Sequence, residues 1–346
     1  MFKAYNRAEL QFDLVHEIGH AGKNSRTFTA RDHQLNADIV MKRLEKARMN
    51  DPAEFFAESA ALYASSHPHV VQVHYACEDA DFVYLAMPYY RQGSVKGLMA
   101  AGFLTVREVI TLGAQTLSAL HNIHSKGLIH FDVKPDNILL SDRREALLSD
   151  FGLARQVRGG LAGQDRLYLK MVPPEAFARD HFDRTFDIFQ LGLTLYRMCN
   201  GDEVFYQQFD RFGAGAAFDR HTFRHAVANG HFPDRSRYPA HVPLKLRNVI
   251  RQCLATDPND RYQSALEVSN ELADISGRHL DWRLAPHPDR RVWTKNIEGT
   301  EFEFEVTCAG VSTLRRRSPG GAFRRIGDGC RAGVSETDVK RILGAY

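Results

Sequence analysis

The side chains best suited to chemistry lie close together in the middle of the chain, in the stretch His-Phe-Asp-Val-Lys-Pro-Asp-Asn at 130–137. It contains Asp132, Lys134 and Asn137, and a further carboxylate, Asp150, begins an Asp-Phe-Gly sequence shortly afterwards. A carboxylate can accept the proton of a hydroxyl group, and carboxylate and amide oxygens are ligands of Mg²⁺. Phosphoryl transfer needs both functions. The residue types of this stretch are therefore compatible with phosphoryl transfer.

Two short apolar runs accompany these motifs, one at 138–140 after the first and one at 146–148 before the second. Runs of this kind are typical of short buried strands. The alternative is a polar loop followed by a chance Asp-Phe-Gly, and that alternative gives no reason for the apolar runs. We therefore expect each motif to flank a short strand.

An Asp five residues before an Asn, followed by Asp-Phe-Gly, resembles the catalytic loop and the metal-binding loop of protein kinases. The resemblance implies that Asp132 receives the proton of the acceptor hydroxyl and that Asn137 and Asp150 hold Mg²⁺. It also implies that Lys134, a residue of the serine/threonine-kinase type, steadies the transferring phosphate. His130 is a base by type, but its counterpart in this family is a packing residue.

The composition sets the limits on class and compartment. The 346 residues allow one large domain or two smaller ones, and a 44% hydrophobic share is ample for a core. A net charge of +3 is too near balance to indicate nucleic acid as a general partner. The five cysteines form no Cys-x-x-Cys pair, which argues against a zinc ribbon or a disulfide framework. Without an apolar stretch of signal-peptide or membrane-span length, we expect a cytoplasmic protein.

A degraded glycine-rich loop precedes these motifs. Between two alternating runs, within 12–29, the chain carries Gly19 and Gly22. The stretch looks like the kinase phosphate loop, in which backbone N–H groups close on the nucleotide phosphates. Ala21 stands where the family has its second glycine, and no glycine stands in the third place. A simple hairpin turn would explain the stretch equally well by itself.

The run Ile-Val-Met-Lys at 39–42 is similar to the strand that ends in the nucleotide-binding lysine of kinases. The resemblance implies that Lys42 contacts the α- and β-phosphates and that Val40 forms part of the roof over the adenine. The partner of that lysine should be a Glu on the next helix. Glu58 is preferred to Glu54 because it lies nine residues before a His-Pro pair, although a solvated helix charge is the alternative.

The apolar run at 82–87, followed by Pro-Tyr-Tyr, resembles the last strand and the hinge of the small lobe of kinases. Met87 would lie beside the adenine as the gatekeeper. The hinge would bind adenine through the carbonyl of residue 88 and the N–H of residue 90. Pro88 has no N–H but keeps its carbonyl, so it is compatible with that role, as is Tyr90. Leu139, after the catalytic loop, is assigned to the same nucleotide site.

Phe131 stands where most regulated kinases have an arginine that pairs with a phosphate on the activation segment. A phenylalanine cannot make that pair. The segment at 153–172 also contains no Ser or Thr, and its only hydroxyl belongs to Tyr168. Together these two features predict an enzyme that is not switched on by Ser/Thr phosphorylation of this segment.

The sequence Pro-Pro-Glu at 173–175 resembles the Ala-Pro-Glu that closes the activation segment of protein kinases. Glu175 should pair with Arg261, and Asp187 should brace the catalytic loop. Small-molecule kinases typically lack this closing segment, so these residues favour a protein acceptor. The Thr usually found in the substrate-facing loop is replaced by Leu-Tyr at 167–168, which points to an unusual acceptor.

The kinase resemblance ends near residue 274, and the remaining tail has a different character. Alternating runs at 291–296 and 301–307 predict two strands around a turn, and Ser335 predicts the start of a short helix. Six arginines between 314 and 331 face only one acid in that stretch, Asp328. They are either a solvated surface or a site for an acidic partner, such as nucleic acid or a regulatory protein. The sequence Arg-Arg-Ser ending at Ser318 is a candidate autophosphorylation site.

The resemblance implies an α+β, two-lobed protein-kinase-like fold with a small lobe at 1–90, a large lobe at 91–277 and an appendage at 278–346. The appendage has few large aliphatic residues, so we expect it to pack on the large lobe. The implied activity is a Mg-ATP-dependent serine/threonine protein kinase. The alternatives are a pseudokinase that binds nucleotide without turnover, favoured by the degraded glycine loop, and a kinase of small molecules.

Overall fold

The computed structural model describes residues 9–18, 25–48, 60, 63, 66–164 and 167–346. The chain divides into two compact units, Met1–Gln92 and Gly93–Tyr346. The first unit is built on a sheet and the second is mainly helical, as expected for an α+β fold. Across the described ranges, no helix is both long and apolar enough to cross a membrane.

The first unit contains one antiparallel sheet with the strand order β1-β2-β3-β5-β4. Its strands are β1 (Phe12–Glu17), β2 (Ser25–Asp32), β3 (Ala37–Glu45), β4 (Tyr75–Glu78) and β5 (Phe82–Pro88). Side chains alternate across a strand, and Ala30, Ile39 and Met41 are buried with Tyr84 and Ala86 on one face. The predicted strands at 39–42 and 82–87 are parts of β3 and β5, which are neighbours in this sheet.

The second unit contains most of the helices and three two-stranded ribbons. Its helices are α1 (Val95–Ala100), α2 (Val106–Ser125), α3 (Thr185–Asn200), α4 (Asp202–Asp210), α5 (Arg220–Ala228), α6 (Leu244–Cys253), α7 (Ala265–Ala273) and α8 (Glu336–Ala345). The ribbons are β6 (Leu128–Ile129) with β9 (Arg155–Gln156), β7 (Ile138–Leu140) with β8 (Ala146–Leu148), and β10 (Ala162–Gly163) with β11 (His181–Phe182). The two predicted strands are β7, directly after the catalytic motif, and β8, directly before the Asp-Phe-Gly motif.

The long helices α2 and α3 form the frame of this unit. Thr105 begins α2 with a reciprocal capping box to Glu108, and its apolar face is buried. Every residue of α3 is buried, so this helix runs through the centre of the unit. Gly192 of α3 is packed so closely against α6 that an added Cβ would lie 2.7 Å from the Cβ of Cys253.

The tail forms a five-stranded antiparallel meander followed by α8. Its strands are β12 (Arg283–Pro286), β13 (Arg290–Ile297), β14 (Thr300–Thr307), β15 (Ser312–Arg317) and β16 (Arg324–Arg325). The predicted strands and the Ser335 cap of α8 are confirmed. Trp282, Trp293 and Phe304 are fully buried in its core, so aromatic rings supply the volume that aliphatic residues do not.

The tail packs on the preceding helices, as predicted. Ala240 belongs to the tail core, and the Trp293 Nε1–H donates to Nδ1 of the neighbouring His241 at 3.1 Å. At the start of α2, Glu108 pairs with Arg283 at 2.6 Å, and one residue earlier an arginine pairs with Asp281. The tail is therefore continuous with the helical unit.

The arginines of the tail are partly neutralised within the sheet. Arg315 pairs with Glu303, and Arg317 pairs with Glu301 at 2.6 Å, because β14 and β15 place these residues opposite each other. The acids that balance them precede the arginine run in the sequence. The other four arginines of the run at 314–331 are exposed and lack an ion pair within the part of the chain that the structure describes: Arg316, Arg324, Arg325 and Arg331.

Candidate active site

The catalytic loop places Asp132, Lys134 and Asn137 in direct contact with one another. The Lys134 ammonium donates to both carboxylate oxygens of Asp132, at 2.9 and 2.8 Å. The Asn137 amide donates to the same carboxylate at 2.7 Å and to the Asp132 backbone carbonyl at 2.9 Å. Asp132 is only 5% exposed, and a buried carboxylate requires such donors. The three predicted residues thus form one hydrogen-bonded group.

Asp187, at the start of α3, holds the backbone of this loop. Its carboxylate accepts hydrogen bonds from the backbone N–H groups of His130 and Phe131, at 2.9 and 2.8 Å, and contacts Nε2 of His124 at 2.8 Å. Phe131 has a φ of 66°, in the left-handed region that bulky residues rarely adopt. The predicted bracing role of Asp187 is confirmed, and the two bonds explain how this turn is maintained.

His130 lies in the interior, away from a position where it could act on an acceptor. Its side chain is fully buried, and its Nδ1 accepts the backbone N–H of Asp132 at 3.2 Å. Its ring packs edge-to-face on Phe151 at 4.8 Å. Burial lowers the pKa of His130 despite the nearby carboxylates, so the neutral ring is favoured. These contacts agree with the predicted packing role.

Sequence reasoning missed two residues of α3 that support the catalytic loop. The Gln190 side chain accepts the Val133 N–H and donates to the Phe131 carbonyl, each at 2.9 Å. The Thr194 hydroxyl lies 3.2 Å from the Val133 carbonyl. Their polar side chains within the largely apolar run at 188–196 were the signal that could have identified them, since buried polar groups need partners.

The residues proposed to hold Mg²⁺, Asn137 and Asp150, lie at the same end of the β7–β8 ribbon, because Ile138 pairs with Leu148. Asn137 directs its amide N–H₂ to Asp132, which leaves the amide oxygen as its ligand atom. Asp150 adopts the left-handed conformation, with φ 61° and ψ 74°. In the described ranges, no group of three or more His, Cys, Asp or Glu side chains is arranged to hold a metal. A carboxylate and an amide suit Mg²⁺ when phosphate oxygens complete its coordination.

Phe131 lies at the centre of an apolar cluster that includes the activation segment. Its ring packs edge-to-face on Phe186 at 4.9 Å and on Phe182 at 6.0 Å. Ala162 of the activation segment is buried in the same cluster, and Leu167 packs against it. The position that carries a phosphate-binding arginine in regulated kinases therefore makes apolar contacts here.

The closing segment is anchored as predicted. Both carboxylate oxygens of Glu175 accept hydrogen bonds from Arg261, each at 2.7 Å. The Arg261 side chain is fully buried and also donates to the backbone carbonyls of Ala255, Thr185 and Thr256. A bidentate, buried pair of this kind fixes both position and direction.

The residues assigned to the nucleotide fall on both units. In the first, Val40 on β3 lies opposite Met87 on β5, and Lys42 is 8% exposed. Pro88 ends β5, and the Tyr90 hydroxyl lies 3.5 Å from the backbone nitrogen of residue 72. In the second unit, Leu139 is half-buried on β7. Three further assignments lie outside the described residues: Gly19, Gly22 and Glu58.

Comparison with known proteins places these features in a family context. The model of the protein kinase domain matches residues 12–271. The serine/threonine-protein kinase PknJ of Mycobacterium tuberculosis is 30% identical over 284 residues, which are 78% of this chain and 46% of that protein. PknK and PknB of the same organism, also serine/threonine-protein kinases, are 29% and 28% identical. The match to PknK covers 78% of this chain and 24% of PknK. The match to PknB covers 77% of this chain and 43% of PknB. The chain thus spans less than half the length of these relatives.

Proposed function

This chain belongs to the protein kinase family, and on that premise we propose that it transfers the γ-phosphate of Mg-ATP to a serine or threonine hydroxyl of a protein substrate. The observation that carries the proposal is the group formed by Asp132, Lys134 and Asn137. In this group, Lys134 and Asn137 donate hydrogen bonds to the buried Asp132 carboxylate, which would receive the proton. A family resemblance without this group would be equally compatible with a protein that only binds nucleotide.

In the proposed reaction, the acceptor oxygen bonds to the γ-phosphorus while the bond from that phosphorus to ADP breaks. Asp132 orients the acceptor hydroxyl and receives its proton. Lys134 offsets the negative charge of the transferred group. When bound, Mg²⁺ would be held by Asn137 and Asp150 and would neutralise charge on the phosphates.

The first unit carries residues that we assign to the nucleotide. Lys42 would contact the α- and β-phosphates, and the adenine would be bound at Met87, Pro88 and Tyr90. The pairing of Val40 with Met87 supports a shared role, because directly opposed residues of an antiparallel pair have their side chains on the same face of the sheet. All five cysteines are free thiols, which supports a reducing compartment such as the cytoplasm.

A protein acceptor is supported by the closing segment. The bidentate bond between Glu175 and Arg261 fixes the end of the activation segment, against which a peptide would lie. A kinase of small molecules would have no need of this anchor. Ser318, which is exposed after two arginines, remains a candidate for autophosphorylation, and the four exposed arginines at 316, 324, 325 and 331 would face an acidic partner.

The apolar cluster around Phe131 supports activity without Ser/Thr phosphorylation of the activation segment. In regulated kinases a phosphate and an arginine order this segment, whereas here buried contacts between Phe131, Phe182 and Ala162 connect it to the catalytic loop. Phosphatase-treated protein should therefore retain its activity. Loss of activity on treatment, with the lost phosphate mapped to Tyr168, the only hydroxyl residue of the segment at 153–172, would show that a phosphate on this segment is needed after all.

The decisive experiment is transfer of radiolabelled γ-phosphate from Mg-ATP to a generic protein acceptor. Asp132→Asn removes the proton acceptor at constant size, and Asp142→Asn makes the same change at an exposed turn as the matched control. We expect label with the wild type and the control, and none with Asp132→Asn. If no variant transfers label while ATP still binds, the chain is a nucleotide-binding pseudokinase. Label that appears only on a small-molecule acceptor would assign the other alternative.

A further inference from the structure

Tyr168 of the activation segment lies directly against the catalytic loop. The Lys134 ammonium is 4.6 Å from the centre of the Tyr168 ring, while it donates to both oxygens of the Asp132 carboxylate. The face of an aromatic ring attracts a cation, most strongly where water is excluded. The same ammonium is therefore held by a carboxylate on one side and a ring on the other.

The Tyr168 ring is fixed from its far end by α4. The Tyr206 side chain lies next to its hydroxyl, and burial together with this neighbour raises the pKa of Tyr168. The phenol is thus neutral, and its oxygen is turned towards Tyr206. The Lys170 ammonium lies 4.5 Å from the ring centre of Tyr206, which connects the same segment to α4 a second time.

A buried arginine connects Tyr206 to the catalytic loop. The Arg197 guanidinium lies 5.5 Å from the Tyr206 ring centre and has no exposed side-chain surface. It donates to Asp202 at 2.7 and 2.9 Å and to Asp136 at 3.3 Å. Asp136 also pairs with Lys96 at 2.6 Å, and these cations lower the pKa of Asp136. A closed circuit of contacts therefore joins the catalytic loop, the activation segment, α4 and α3.

We propose that Tyr168 is a positioning residue whose ring holds the Lys134 ammonium beside Asp132. A lysine side chain has four flexible carbon–carbon bonds, so an ammonium without a second support would sample many positions. The ring gives the ammonium this second support and so restricts it to a position beside the Asp132 carboxylate. This role rests on the proposed kinase function. It also gives the activation segment a contact with the catalytic loop that needs no phosphate.

The proposal distinguishes the ring from the hydroxyl group. Tyr168→Phe keeps the ring face and loses only the hydroxyl group beside Tyr206, whereas Tyr168→Leu removes the face. We expect kcat to fall about tenfold or more in the Leu variant, since small displacements of a reacting group have effects of this size, and about threefold or less in the Phe variant. The KM for ATP should stay within about twofold in both, because the ring acts on the transfer step.

The experiment measures kcat and KM for each variant in the full chain, together with thermal melting. Phe323→Leu is the matched control, because it removes a ring that lies 4.8 Å from the Arg317 guanidinium carbon in the tail. It should leave kcat unchanged. Lys134→Ala combined with Tyr168→Leu should be no slower than Lys134→Ala alone if the ring acts only through the lysine.

The outcomes separate this inference from the function on which it rests. A wild type without transfer overturns the kinase proposal itself. An active wild type with Tyr168→Leu equally fast, or with additive losses in the double variant, overturns only the role of Tyr168. If the Leu variant melts at the assay temperature, Tyr168→Gln replaces it, since glutamine keeps bulk without a ring face. Equal kcat values for the Gln and Phe variants would then refute the proposal.

Discussion

Acid should weaken the attachment of the tail through one buried histidine. His241 is 5% exposed, and its Nδ1 accepts the N–H of Trp293, which requires a ring without a proton on that nitrogen. Burial, with a smaller effect from Arg247, lowers the pKa of His241 from 6.5 to about 4. In the folded protein the neutral ring is therefore maintained well below the pH at which an exposed histidine would be protonated.

The sign of the effect follows from the protons that each state binds. Between the two pKa values the unfolded chain binds a proton at His241 that the folded chain does not, so stability falls as the pH falls. For a pKa of about 4 when folded and about 6.5 when unfolded, the loss is about 2 kcal/mol at about pH 5. It reaches about 3 kcal/mol at about pH 4.

The assay compares wild type with His241→Asn, whose amide oxygen can still accept the Trp293 N–H but cannot be protonated. The chain has two tryptophans, Trp282 and Trp293, and both are buried in the tail core, so their fluorescence during urea unfolding follows this region. Other groups titrate equally in both proteins. When the pH is lowered from about 7 to about 5, the unfolding free energy of the wild type should therefore fall by about 2 kcal/mol more than that of the variant. A difference that stays constant across this range would refute the reasoning.

Three further substitutions test the packing around the site and the tail. Glu175→Ala leaves the buried Arg261 guanidinium without its carboxylate and should cost about 3 kcal/mol or more of unfolding free energy in urea titrations; a loss below about 1 kcal/mol would contradict it. Ser335→Ala removes the α8 cap and should cost about 1 kcal/mol, measured as a lower melting temperature. Gly192→Ala places a methyl group 2.7 Å from the Cβ of Cys253 and should cost about 1–3 kcal/mol; an unchanged midpoint would show that α3 and α6 separate freely.

Local features of the site could be predicted because their causes are local. The spacing of Asp132, Lys134 and Asn137 brings three side chains together within one loop, and the structure shows them hydrogen-bonded to one another. Ser335 was recognisable as a helix start because this cap and its partner Asp338 lie three residues apart. The alternation of strands in the tail was equally visible.

Other parts of the site could not be predicted, because they depend on residues far apart in the sequence. The absence of arginine at Phe131 was evident, but the sequence did not show that this ring adopts a left-handed conformation and packs on Phe182 and Phe186. The pairing of Arg317 with Glu301 depends on the register of two neighbouring strands. Without that register, the arginine run was indistinguishable from a binding surface.

The sequence by itself determined the family, the residue types of the catalytic loop and the position of several strands, since these follow from side-chain type and short-range periodicity. Only the tertiary structure decided which side chains lie beside each buried charge and fill the core. It placed the Tyr168 ring on the Lys134 ammonium and buried Arg261 beside Glu175. The physical reason is that contacts across the fold depend on distances in space, which the pattern of a single chain does not specify.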